Sequence, residues 1–198
     1  MIWKRKNKDF ADFKPDVTTA TWLKTTRLTQ QQRLRLTKWG CYVLTMVLAL
    51  VIQDTIMSQF RLFGATTDLA VCVILLITVL EGTDVGSLFV LLASSFYYFS
   101  GSAPGIFAIP LITVIAVITA VFRQAYLRKG FSTMLICTGT ALFVYEIGTF
   151  LIGLFLGSTI ASRFPAFLIG AGLTLALVPL LYPILLSIGK IGGETWKE

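Results

Sequence analysis

Residues 64–105 read GATTDLAVCVILLITVLEGTDVGSLFVLLASSFYYFSGSAPG. Two apolar runs, Leu69–Leu80 and Val85–Phe99, are joined by the acidic turn Glu81-Gly82-Thr83-Asp84 and bounded on each side by glycine. Neither run carries the polar stripe that a half-exposed helix of a water-soluble domain keeps, so the natural solvent of this hairpin is lipid. The rest of the chain fits the same reading. With 56% hydrophobic and 14% charged residues, it falls well below the roughly 25% charge of an ordinary soluble domain. A mean hydropathy of +0.80 identifies a small polytopic membrane protein, all-α in class.

Six apolar segments follow from that solvent. Trp39–Phe60 is long enough to cross a hydrocarbon core of about 30 Å at about 1.5 Å per residue. Leu69–Leu80 is short, and its twelve apolar residues must borrow residues 65–68, sit deep against neighbours or span only in part. Val85–Phe99, Ile106–Phe122, Met134–Leu156 and Phe164–Ile188 complete the set, the last with Pro179 and Pro183, which imply a kink or fraying. The domains are thus a basic polar segment over 1–38, a membrane domain over 39–188 and a short tail over 189–198.

Charge sets the expected orientation. The net charge is +7, and ten of the seventeen Lys and Arg precede residue 39, which makes them a juxtamembrane feature and not a nucleic-acid surface. With six spans, the N-terminal cations, Arg123, Arg128, Lys129, Lys190 and Lys197 share one side, against Arg61 and Arg163 on the other. The positive-inside rule then places both termini in the cytoplasm. No apolar stretch stands in the first thirty residues to act as a cleaved signal. The run from Trp22 to Trp39, with Lys24, Arg27, Arg33, Arg35 and Lys38, fits an interfacial helix on anionic lipid as well as it fits a tail with no fixed structure.

Candidate chemistry is sparse. The chain has no histidine, and Cys41, Cys72 and Cys137 stand singly in apolar runs, so neither a disulfide framework nor a zinc site is expected. No phosphate-cradling loop, HExxH or nucleophile–base pair is present, and no catalytic residue, metal or cofactor is assigned. Acidic groups at membrane depth are Asp54, Asp68 and Glu146. Each is costly in lipid, about 2.5–3.5 kcal/mol for Asp on insertion scales, so each should face protein or water. Glu146 serves either as a contact for a partner helix or ligand, or as an internal hydrogen bond with a group such as Gln53 or a tyrosine. Asp68 is expected in a surface ion pair with Arg61 or Arg163, and Glu81 with Asp84 in a solvated turn. Small residues recur four apart, at Gly82/Gly86, Gly101/Gly105, Ala116/Ala120 and Gly153/Gly157, the last pair preceded by Gly148 and the most suited to packing a partner helix.

Short motifs add a family resemblance. Ile52-Gln53, Gly64, Thr67-Asp68, Leu80-Glu81-Gly82, Gly86 and Gly101-Ser102-Ala103-Pro104-Gly105, then Arg128-Lys129-Gly130-Phe131 and Tyr145-Glu146, resemble the MreD family of rod shape-determining membrane proteins. Thr67 departs from the family's usual proline, Ala93-Ser94-Ser95-Phe96-Tyr97 lacks its acidic residue, and the N-terminal segment is longer than usual. The resemblance implies a six-helix fold similar to the substrate-binding subunits of energy-coupling-factor transporters, in a bacterial plasma membrane, without catalysis. It implies a scaffold of the cell-elongation complex, binding an MreC-like single-span protein and linking the MreB filament to RodA and its transpeptidase partner. A small-molecule ligand is not expected on that reading. The alternative is a vitamin-capturing transporter subunit, which calls for a pocket on the outer side lined by groups such as Asp54, Asp68 and Tyr97.

Overall fold

A computed structural model describes residues 30–57, 59, 65–126 and 130–191. Lys24, Arg27, Arg61, Arg128, Lys129 and Lys197 lie outside the described residues. Among the described residues the fold is all-helical: α1 (Gln30–Ile52), α2 (Leu69–Glu81), α3 (Thr83–Phe99), α4 (Ala108–Tyr126), α5 (Phe131–Phe155) and α6 (Phe164–Gly189). A π turn, Gln53–Met57, ends α1, and a 3₁₀ turn, Ala161–Arg163, precedes α6.

The short second run is the axis of the molecule. Every residue from Leu69 to Leu80 is buried, and α2 touches all five other helices. Its neighbours form a closed ring: α3 packs on α4, α4 on α5, α5 on α6 and α6 on α1. The rings of Trp39 and Tyr42 on α1 meet Phe89 on α3, at 5.7 and 6.4 Å between centroids, and complete the circle. This corrects the expectation that both runs of the hairpin face lipid. A helix that is apolar all round is a buried helix, and here the burying medium is protein. Shielding from lipid also accounts for its length. Thirteen residues rise about 20 Å, and a helix capped by its neighbours has no bilayer thickness to match.

The ring helices divide their faces between α2 and the outside. On α1, Tyr42, Met46, Ala49 and Gln53 are buried, while Val43, Leu44, Val47, Leu48 and Val51 are exposed. On α3, Phe89, Val90, Ala93 and Tyr97 face inward, while Leu88, Leu91, Leu92 and Phe96 face outward. Exposed faces this apolar fit hydrocarbon and not water. Among the described residues, four segments are long and apolar enough to cross a membrane: Gln31–Met57, Ala108–Tyr126, Phe131–Phe155 and Ala161–Gly189. The helices Leu69–Glu81 and Thr83–Phe99 are apolar but shorter. The chain is a multi-pass membrane protein by these helices.

Close approach explains the acidic turn between α2 and α3. Gly82 has φ 89°, a left-handed value, and a methyl group there would collide with the Gln124 side chain. At Gly86 an added Cβ would lie 3.1 Å from the Thr78 carbonyl oxygen, so the two helices meet backbone to backbone there. Gly153/Gly157 is not such a seam. The helix stops at Phe155, Gly157 turns the chain at φ 68°, and Gly153 packs against Ser158 and Thr159 of its own loop. Gly148 faces Leu111 of α4. These three glycines thus serve packing and turning within the chain, because the helix ends at Phe155, two residues before Gly157.

Helix continuity bears on two more expectations. The helix begins at Gln30 and continues unbroken through Trp39, so residues 30–38 extend the first segment and the boundary at 38/39 falls inside α1. Of the kink or fraying expected at Pro179 and Pro183, fraying does not occur: helix α6 runs on past both to Gly189, with both prolines on its exposed side.

Candidate functional site

Polar side chains gather at the two ends of α2, where a helix leaves backbone groups unsatisfied. At its start, the π turn directs Gln53 inward while Asp54 stays exposed. Gln53 then serves both neighbours: its Oε1 accepts from the Ala70 N–H at 2.8 Å, and its Nε2 donates to Asp68 Oδ1 at 2.8 Å. The Tyr97 hydroxyl donates to the same Oδ1 at 2.8 Å, and the Asp68 N–H donates to Thr174 Oγ1 at 3.0 Å. Among the described residues Asp68 is therefore held by neutral donors from the π turn and α3, and not by the ion pair with Arg163; Arg61, the other partner expected for it, lies outside the described residues. Asp54 lies apart from this cluster and accepts from the Ser102 hydroxyl at 2.6 Å.

Beside Asp68 is a cavity of about 270 Å³. Its wall brings together Gln53, Asp68, Tyr97, Tyr145, Glu146 and Thr149, with the exposed Arg163 and Pro104 at its mouth. Glu146 is only 8% exposed, and among the described residues no donor reaches its carboxylate. The Tyr145 hydroxyl and Thr149 Oγ1 are likewise buried and reach no partner at full hydrogen-bond geometry, with the Tyr97 hydroxyl and each other as their nearest polar neighbours. Gly170 makes the space: a Cβ there would stand 3.2 Å from the Thr66 carbonyl oxygen and 3.7 Å from Glu146 Oε1. The internal hydrogen bond between Glu146 and Gln53 that the sequence allows is not made; Gln53 joins Ala70 and Asp68 instead.

The other end of α2 carries a different arrangement. Glu81 accepts from Lys38 Nζ at 2.7 Å on Oε2 and from the Tyr42 hydroxyl at 2.6 Å on Oε1, with side chains of the ion pair only 10% and 12% exposed. Lys38 is therefore an internal partner of α2 and not a contact for the lipid surface, and Glu81 is not part of a solvated turn. Arg33 and Arg35 are exposed along the first turns of α1. Thr83 donates to Gln124 at 2.7 Å, and Arg123 is 4% exposed nearby on α4. Among the described residues, no group of three or more Cys, Asp or Glu is arranged to hold a metal ion.

A second, apolar cavity of about 340 Å³ opens between α4 and α5 beside Ile118, Phe122, Ile136 and Val144. Thr119 and Thr140 line it too, but their hydroxyls turn back to carbonyls of their own helices. It is a crevice in the apolar wall.

The sequence placed Asp68 and Tyr97 in one outer pocket together with Asp54, which does not line the cavity, and named Glu146 apart from them; it missed their convergence with Glu146, Tyr145, Thr149 and Gly170. Only the neighbouring pair Tyr145-Glu146 offered a signal for part of this set. Fold and site together define a helical, multi-pass membrane protein with a polar cavity at one end of a central buried helix. No family model, curated protein or solved structure matches the chain.

Proposed function

We propose that this chain is a six-span protein of the bacterial plasma membrane with both termini in the cytoplasm, acting as a non-catalytic scaffold of the cell-elongation complex in the manner of the MreD family. The observation that carries this reading is where the resembling residues lie: Gln53 and Asp68 cap α2, Gly82 and Gly86 close it against α3, and Glu146 borders the cavity beneath it. The charges support the orientation. Helices alternate in direction, as the pairs Lys38–Glu81, Tyr97–Asp68, Thr83–Gln124 and Phe131–Tyr182 require, so Arg33, Arg35, Lys38, Arg123 and Lys190 share one end and Arg163 stands at the other. Cations on the shared end mark the cytoplasmic side.

On this reading the ring's apolar outer faces receive the single helix of an MreC-like protein, and the basic end meets lipid and the MreB filament, while RodA and its transpeptidase partner join on the outer side. Affinity purification of the tagged chain in mild detergent is expected to recover the single-span protein in near-equal amount. A purified chain that stays intact and recovers none contradicts the proposal. The cavity gives specific support to one other reading, a ligand-capturing subunit of a vitamin transporter. Saturable thermal stabilisation by one vitamin or precursor, with no single-span protein recovered, would favour it.

A further inference from the structure

We propose that the cavity beside Asp68 and Glu146 is a binding site for a compact organic cation carrying a primary ammonium group. The inference depends on neither reading of the complex. Two hydroxyls lining the cavity, those of Tyr145 and Thr149, are buried with no partner at full hydrogen-bond geometry, and the Glu146 carboxylate beside them, 8% exposed, accepts from no donor among the described residues. Buried polar groups in folded proteins are nearly always satisfied, and an ionisable group at membrane depth marks a site that receives something. These three belong to successive turns of α5, so their unmet capacity is focused on one wall.

The sign of the missing partner follows from the charges present. Asp68 and Glu146 contribute two acidic groups to the interior, and Arg163 is exposed at the mouth, so the interior is complementary to a cation. Asp68 is fixed in position by Gln53 and Tyr97, which makes the site preorganised on that side. An ammonium offers three N–H donors and no acceptor, which matches one carboxylate and two hydroxyl oxygens better than a neutral or anionic group does. A bare metal ion fits less well, because the two acidic groups are joined by no third Cys, Asp or Glu among the described residues. The volume of about 270 Å³ admits a small molecule or one headgroup and excludes a folded partner element.

The ammonium has two possible sources, a soluble amine or the aminoethyl headgroup of a lipid. The test uses the full chain in nanodiscs of phosphatidylglycerol alone and in nanodiscs half phosphatidylethanolamine, with ethanolamine and putrescine as probes and sodium chloride and magnesium chloride as ionic controls. In phosphatidylglycerol, at least one amine is expected to raise Tm saturably by about 3–6 °C beyond either salt. Glu146→Gln removes the charge with little change in shape, and Ala166→Phe fills the cavity from α6. Each is expected to reduce that rise to less than a third. If the amine loses its effect in phosphatidylethanolamine nanodiscs because Tm is already raised there, the lipid headgroup is the natural source. If the effect is equal in both, a soluble amine is. The proposal is overturned if neither amine exceeds the salts, if magnesium or sodium alone reproduces the rise, or if the rise survives intact in the folded variants. The recovery of a single-span partner is a separate readout, so failure of one proposal is distinguishable from failure of the other.

Discussion

Exchanging Glu81 for alanine is expected to destabilise the bundle by about 3–5 kcal/mol, because it leaves a buried ammonium without its counter-charge. Glu81 holds Lys38 at 2.7 Å and Tyr42 at 2.6 Å, and the ion pair is only 10% and 12% exposed. The lost carboxylate strands both groups between α1 and α2, where neither lipid nor water replaces it. Removing both charges is expected to be far milder: Lys38→Met with Glu81→Leu keeps the volume and leaves no orphaned charge. Reversible unfolding in mixed micelles, followed by circular dichroism, measures the three proteins. The account requires the single substitution to be more damaging than the double. Equal losses would show that the pair does not act as a buried unit.

Leu75→Ala is expected to destabilise by about 2–5 kcal/mol, whereas Leu88→Ala should change stability by no more than about 0.5 kcal/mol. The two leucines are chemically alike and lie on consecutive helices. Leu75 is 0% exposed at the centre of α2, surrounded by the ring, so its truncation leaves a cavity that rigid neighbours cannot fill. Leu88 is 63% exposed on the outer face of α3, where hydrocarbon closes over any gap. The difference between the two, measured in the same micelles, separates burial in protein from burial in lipid. Similar losses at both positions would place α2 at the lipid surface and contradict the central position described for it.

Composition and apolar run length were enough to read the class and the positions of all six helices, because hydrophobicity over a window is what both lipid and a protein interior select. The same degeneracy hid the role of Leu69–Leu80. An apolar run does not say which of the two media surrounds it, and only its shortness hinted at a place deep against neighbours. The end of α5 was misjudged for a related reason, since glycine four residues after glycine marks a helical seam only while the helix continues, and Gly157 turns the chain instead. Among the polar groups, Asp68 and Glu146 announced themselves by their cost in an apolar setting. Their joining in one cavity depended on Gly170 and Thr174 of α6, about a hundred residues from Asp68, and no local pattern encodes that approach. Lys38 was read from its charged neighbours as a surface group, although its true partner, Glu81, is 43 positions away.

Alternation of the helices puts the basic ends together and the cavity at the opposite end. Thiol labelling tests it in a chain freed of Cys41, Cys72 and Cys137 and carrying Gln31→Cys, Ser158→Cys or Lys190→Cys singly, with a membrane-impermeant reagent applied to spheroplasts and to inverted vesicles. The account predicts that positions 31 and 190 react only in inverted vesicles and position 158 only in spheroplasts. Positions 31 and 190 reacting from opposite faces of the membrane would contradict it.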